Sequence, residues 1–156
     1  MTSPVFTTVE GFVALAEHQF RVSDRLRQKF FLLYADIDGL KNINDTLGHK
    51  EGDKILINAA DILRETYRNS DIIARMGGDE FVVFPIGSSG DDIDMNVSRL
   101  QKNIEIHNSS TASSYRISMS SGVAYYDPEF PCSVDELLAK ADRSMYENKK
   151  HKRNGG

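Results

Sequence analysis

Residues 71–85 read DIIARMGGDEFVVFP, and this stretch decides how the chain is built. Two apolar runs, Asp71 to Met76 and Phe81 to Pro85, flank the tight turn Gly77-Gly78-Asp79-Glu80, a strong hairpin signal. Upstream, Phe30 to Ile37 (FFLLYADI) is a short apolar run of strand length ending in the acidic pair Asp36 and Asp38. It reads as a buried central strand with its carboxylates at the mouth. Downstream, Tyr115 to Tyr126 supplies another strand region.

Helices fill the intervals. Gly11 to Lys29 carries Phe12, Val13, Leu15, Ala16, Phe20, Val22 and Leu26 at amphipathic spacing. Gly39 through Gly48 reads as a short helix closed by glycine. Gly52 to Arg68 reads as a longer one, with Ile55, Ile57, Ala59, Ala60, Ile62 and Leu63 on its buried side. Gly87 to Gly90 is a loop and Asp91 to Ile106 a helix. Ser133 with Glu136 three residues later forms a capping box, opening a last helix that runs towards Lys149. Residues 1–12 carry no clear period. The resulting order predicts an α/β sandwich: a central mixed, mostly antiparallel sheet of about five strands flanked by helices. No repeat or low-complexity segment interrupts it, so one domain is expected over residues 1–156.

Composition narrows the class. The chain has 156 residues, 40% hydrophobic and 27% charged, the profile of an ordinary globular protein. No apolar run approaches a bilayer span, and the first residues lack a basic start and an apolar signal core. No membrane contact is expected. The single cysteine, Cys132, cannot form an internal disulfide and suits a reducing, cytoplasmic compartment. A net charge of −4 does not favour a polyanion such as DNA. Nucleotides remain accessible to such a protein if metal ions stand between its carboxylates and the phosphates. Lys149, Lys150, Lys152 and Arg153, with His151 among them, cluster at the end. On composition they read as a solvated helix end whose cations complement the dipole.

Asp36 lies at the carboxyl end of the first strand and Asp79 in the hairpin turn. If those strands are neighbours, the two carboxylates meet at one edge of the sheet. Paired carboxylates there are oxygen ligands for hard divalent cations such as Mg²⁺, with substrate phosphates completing the shell. Two-metal sites neutralise both the attacking and the leaving oxygen of an in-line displacement at phosphorus. Spacing alone leaves the plainer reading open, since Asp and Gly favour turns for conformational reasons.

The wider pattern is more specific. Asp36-Ile37-Asp38, Asn44-Asp45-Thr46, Gly48-His49, Gly52-Asp53 and Arg75-Met76-Gly77-Gly78-Asp79-Glu80-Phe81 together resemble the GGDEF family of diguanylate cyclases, in that family's order and spacing. The resemblance covers about Phe30 to Asn154, leaving residues 1–29 as an atypical N-terminal segment, and implies a palm-like nucleotidyl cyclase fold. It implies catalytic roles for Asp36, Asp79 and Glu80. Asp36, Asp79 and the Ile37 carbonyl match ligands of two Mg²⁺ (or Mn²⁺) ions per active site. Asn44 and Asp53 match the pair that recognises guanine. A carboxylate accepts from N1–H and the 2-amino group, donors that adenine does not present. Gly39 and Leu40 match backbone amides facing phosphate at a helix start, and Lys41, Lys149 and Arg153 match cations near the triphosphate. Arg68 and Asp71 match the Arg-x-x-Asp of a product-inhibition site.

Duller explanations stand beside several of these. Asn44 suits a turn, Asp53 a helix cap, and Gly77 and Gly78 a turn needing positive φ. The family's usual opening, Asp-x-Leu-Thr-Gly-Leu-x-Asn-Arg, is replaced here, with only Gly11-Phe12 familiar. Relatives tend to continue past Arg153-Asn154, which leads us to expect an excerpt of a longer protein with a sensory domain. The expectation is thus a homodimeric diguanylate cyclase condensing two GTP into cyclic di-GMP, a product that can also inhibit it. The alternative is a catalytically inactive GGDEF domain that binds GTP or cyclic di-GMP and signals through a partner.

Overall fold

The computed structural model describes residues 5–68, 71–86, 93–110 and 116–154. Its elements are β1 (Val5–Thr7), α1 (Val9–Leu26), β2 (Phe30–Ile37), α2 (Leu40–Leu47) and α3 (His49–Thr66), then β3 (Ile72–Arg75), β4 (Glu80–Phe84), α4 (Ile93–Ser110), β5 (Met119–Tyr126) and α5 (Val134–Asn154). The strands lie side by side in the order β1-β3-β4-β2-β5. β1 pairs with β3 in parallel, and the other three pairings are antiparallel. The mixed, mostly antiparallel sheet expected from the sequence is therefore present.

Strand periodicity divides the core into two layers. β2 sends Phe30, Leu32 and Tyr34 to one face, where Phe12, Ala16 and Phe20 of α1 and Leu137, Ala141 and Met145 of α5 cover them. It sends Leu33, Ala35 and Ile37 to the other, against Ile55, Ala59 and Ile62 of α3 and Leu100 and Ile104 of α4. All eight residues of β2 are buried, because helices cover both faces. By the same alternation, Asp36 emerges on the Tyr34 face, beneath α5.

The position of α5 is set by one residue without a side chain. Gly122 of β5 pairs with Tyr34 of β2, and a Cβ there would lie 2.0 Å from the Met145 nitrogen and 2.7 Å from the Ala141 oxygen. The helix backbone rests directly on the strand at that point. Its start is fixed by the predicted capping box, with the Glu136 N–H donating to Ser133 Oγ at 3.1 Å. Fixed at the cap and at Gly122, α5 carries Lys149, one turn beyond Met145, over the exit of β2.

Several sequence expectations are adjusted. The stretch without a clear period contains β1, a three-residue strand too short to show one, paired with β3 at the sheet edge. Leu15, Leu26 and Ile57, read as core, are exposed, Ile57 by 61%. The apolar stripes of α1 and α3 are narrower than their composition suggests. Glu80 opens β4 rather than closing the turn, and α5 continues past Lys149 to Asn154. The Gly87–Gly90 loop, the helix start at Asp91 and the strand start at Tyr115 lie outside the described residues.

Candidate functional site

β2 and β4 are neighbours, and their antiparallel register sets Asp36 opposite Glu80. The ladder continues one step further, with the Ile37 N–H donating to the Asp79 carbonyl at 3.0 Å. The β3–β4 hairpin closes through the Met76 N–H, which donates to the Glu80 carbonyl at 2.8 Å. Arg75 reinforces the turn from outside, its guanidinium donating to the Gly77 and Gly78 carbonyls at 3.0 and 2.7 Å. These bonds aim the turn back over the end of β2. Asp36, Asp79 and Glu80 each bring a carboxylate oxygen into one cluster in which all three lie within 4.8 Å of one another.

Such a cluster is costly without a cation. At an effective dielectric of about 20, two unit charges that close repel by roughly 3 kcal/mol. Asp36 is 7% exposed, and its Oδ1 is buried with no hydrogen-bond partner. The Asp36 carboxyl is raised to about 6, first of all by burial. Lys149 pulls against this rise, and the neighbouring Asp79 carboxylate adds to it. An orphaned buried oxygen beside two further carboxylates is a donor set of hard oxygens, the kind a small divalent cation takes.

Two side chains organise the cluster from either side. Tyr34, two residues before Asp36 on the same face, donates its hydroxyl to Glu80 Oε2 at 2.9 Å. From α5, Lys149 Nζ lies 2.7 Å from Asp36 Oδ2 and 3.8 Å from Asp38 Oδ1. Lys149, matched in sequence to the phosphate-facing cations, is thus in direct contact with the acidic cluster.

The other predicted residues fall around this centre. Gly39 has φ +73°, a left-handed conformation that glycine adopts without strain, and its kink turns the chain from β2 directly into α2. Leu40 is the first residue of α2 and buried, and Lys41 beside it is exposed. Asn44 is held between α2 and α3. Its Oδ1 would meet a Cβ on Gly52 at 1.7 Å, so the glycine makes room for the amide. Asp53 follows Gly52 on the exposed side of α3, and Arg153 is exposed near the end of α5.

At the far end of β3, Arg68 and Asp71 close a turn on themselves. The Asp71 N–H donates to the Arg68 carbonyl at 2.9 Å, and Asp71 Oδ2 accepts from the Arg68 N–H at 2.8 Å. Asp71 is buried, and burial raises its carboxyl above the ordinary value against the pull of that N–H and the Arg68 and Arg99 charges. The Arg68 residue is exposed.

The signature glycines do not answer to turn geometry. Among the described residues, positive φ at glycine occurs only at Gly39 and Gly48. A Cβ on Gly78 would meet nothing within 4 Å, and one on Gly77 would meet only Glu80 Oε2, at 3.5 Å. The backbone of the turn accepts side chains. The space above it is open.

Sequence reasoning missed a second polar knot beside the cluster. Asp38, quoted in the acidic pair and the Asp36-Ile37-Asp38 motif but given no role, accepts from Ser118, Ser120 and Lys152. The available signal was the Ser118-Met119-Ser120 alternation, which places both hydroxyls on one face of a strand.

The sequence matches the family described as diguanylate cyclase, GGDEF domain, over residues 12–155. It is 34% identical over 150 residues to the diguanylate cyclase DgcP of Escherichia coli K12, covering 95% of this chain and 41% of that protein. It is 38% identical over 138 residues to the diguanylate cyclase TpbB of Pseudomonas aeruginosa, covering 85% of this chain and 31% of that one. The chain therefore spans well under half the length of either relative. The crystal structure of the GGDEF domain of TpbB superposes with a TM-score of 0.83 at 32% identity, covering 93% of this chain and 91% of that domain. This chain belongs to the GGDEF-domain family of diguanylate cyclases. The match begins at residue 12, so it takes in α1 from Phe12 to Leu26, although the quoted motifs begin later. No helix among the described residues is long and apolar enough to cross a membrane.

Proposed function

We propose that this chain is a diguanylate cyclase domain that condenses two GTP into cyclic di-GMP with release of two pyrophosphates. The observation that carries the reading is the meeting of Asp36, Asp79 and Glu80 at the mouth of β2 around an oxygen with no partner. Mg²⁺ or Mn²⁺, held by Asp36, Asp79 and the Ile37 carbonyl, would neutralise phosphate charge at the attacking and leaving oxygens. The rest is the work of this chain's own groups. The turn between β2 and α2 offers backbone amides at Gly39 and Leu40 to phosphate oxygens. Lys41, Lys149 and Arg153 supply positive charge along the triphosphate. Asn44, steadied on Gly52, and Asp53 read the guanine edge, and Asp53 disfavours adenine for want of matching donors. The open space over Gly77 and Gly78 lets the nucleotide approach the turn.

The 3′-oxygen of each GTP attacks the α-phosphorus of the other. One O–P bond forms as the bond to the pyrophosphate oxygen breaks, and Glu80, oriented by Tyr34, assists departure of the hydroxyl proton. Each subunit holds half of the reactants, so the active species is a homodimer and proximity governs its rate. A sensory domain elsewhere in the full-length protein would control that pairing. Arg68, with its backbone pinned by Asp71, is the cation of the product-inhibition site, where cyclic di-GMP would bind. The domain works in the cytoplasm, without contact to DNA or membrane.

The test is incubation with GTP and Mg²⁺ over a wide range of protein concentration, followed by chromatography of the nucleotides. Cyclic di-GMP should form with a specific rate that rises with protein concentration. Tight binding of GTP or cyclic di-GMP with no product at any concentration would instead identify a signalling module without turnover.

A further inference from the structure

Asp38 leaves the sheet two residues after Asp36, yet it takes no part in the acidic cluster. Both of its oxygens are occupied. Oδ1 accepts from Ser120 Oγ at 2.7 Å, and Oδ2 accepts from Ser118 Oγ at 2.7 Å and from Lys152 Nζ at 2.8 Å. Its backbone N–H donates to the Ser118 carbonyl at 2.8 Å. Lys152 also reaches Ser118 Oγ at 2.7 Å and the Met119 carbonyl at 3.3 Å. Burial pushes the Asp38 carboxyl up, but the Lys152 ammonium and the two serine hydroxyls together hold it below the ordinary value.

Three segments close on this one carboxylate: the exit of β2, the entry to β5 and the last turns of α5. A single lysine–carboxylate pair with a half-exposed lysine contributes little. Here the ammonium is shared among three acceptors, two of them on the β5 side, so its geometry is set by a network rather than by one pair. What hangs from the network is the phosphate side of the proposed site. Gly39 and Leu40 follow Asp38 directly and open α2. Lys149 lies three residues before Lys152, on the same helix face, and Arg153 is its immediate neighbour.

We propose that Lys152 is a positioning residue for nucleotide phosphate. It acts through Asp38 to hold the end of α5 against the β2–α2 turn, so that Lys149 and the Gly39–Leu40 amides face the same point. The inference rests on reading the site as one for a nucleoside triphosphate. It differs from a direct role, in which the Lys152 ammonium itself would bind phosphate. In that case Asp38 would compete with the ligand, and neutralising Asp38 would tighten binding.

The test uses Lys152→Met, Lys152→Arg, Asp38→Asn and the Lys152→Met/Asp38→Asn double variant. The first readout is hydrogen exchange of residues 146–154 in the nucleotide-free protein. The second is affinity for a GTP analogue carrying an α,β-methylene bridge, with Mg²⁺ present. We expect faster exchange at the end of α5 in Lys152→Met and in Asp38→Asn, with melting temperatures close to that of the unmodified chain. Lys152→Met and Asp38→Asn should each bind the analogue roughly tenfold more weakly. The double variant should lose clearly less than the sum of the two single losses, since the Lys152–Asp38 contact is common to both changes, and Lys152→Arg should restore most of the affinity. Tighter binding by Asp38→Asn, additive losses in the double variant, or unchanged exchange would each overturn the proposal. If the unmodified chain binds no analogue, the nucleotide reading fails, and the exchange measurement alone decides whether the clamp exists.

Discussion

Lys149 Nζ lies 2.7 Å from Asp36 Oδ2, and both side chains are largely withdrawn from solvent. One residue proposed to hold metal is thus paired with one proposed to hold phosphate. The same ammonium that attracts a triphosphate must repel a bare cation from Asp36. Replacing it by methionine should therefore act with opposite signs on the two ligands. In Lys149→Met, Mn²⁺ followed by electron paramagnetic resonance without nucleotide should bind about tenfold more tightly, a change of roughly 1.4 kcal/mol. Affinity for a GTP analogue should fall. A loss of both would mean that Lys149 supports the metal site rather than competing for it.

Protons compete for the same oxygens. The Asp36 carboxyl in the folded, metal-free chain is raised to about 6 from its ordinary 3.8. Below about 6 it is mainly protonated, and metal binding must expel that proton. Apparent Mn²⁺ affinity should therefore climb by about tenfold per pH unit up to near 6 and then level off. A titration that is flat between pH 5 and 7 would show that Asp36 is already ionised throughout.

Tyr34→Phe removes one hydroxyl and leaves the ring in the core. Glu80 Oε2 then loses the donor that holds it at 2.9 Å. Removing the partner that orients a metal-site carboxylate typically costs about 10- to 100-fold in metal affinity or activity. A drop of that size in turnover, with an unchanged melting temperature, is the expected outcome.

Two glycines should behave in opposite ways. Gly122→Ala would force a methyl group to within 2.0 Å of the Met145 backbone nitrogen, which no side-chain rotation relieves. Destabilisation at or beyond the upper end of about 1–3 kcal/mol is expected in a thermal melt. Gly78→Ala meets open space, so its fold should be unaffected. If the turn is glycine because a nucleotide must approach it, Gly78→Ala will instead lose turnover.

Much of this arrangement was legible in the sequence, for identifiable reasons. The β3–β4 hairpin and β2 are apolar runs of strand length bounded by strong turn residues, and the Ser133–Glu136 cap is a local hydrogen-bond pattern. Such features need no tertiary information. β1 was not legible because three residues cannot display a period. Ile57 was misjudged because composition does not say how wide a helix's buried stripe is. The Asp36–Asp79–Glu80 meeting depended on β2 and β4 being neighbours, which sequence could state only as a condition. Asp38, Ser118 and Lys152 come together from residues separated by 34 to 114 positions, a contact that only the fold creates.

The most direct test of the account is turnover by Asp79→Ala. This substitution removes one carboxylate of the cluster and leaves the turn backbone in place. With GTP and Mg²⁺, the unmodified chain should yield cyclic di-GMP, and the variant should yield none while keeping its melting temperature. Full turnover by Asp79→Ala would contradict the assignment of the acidic cluster as the catalytic centre.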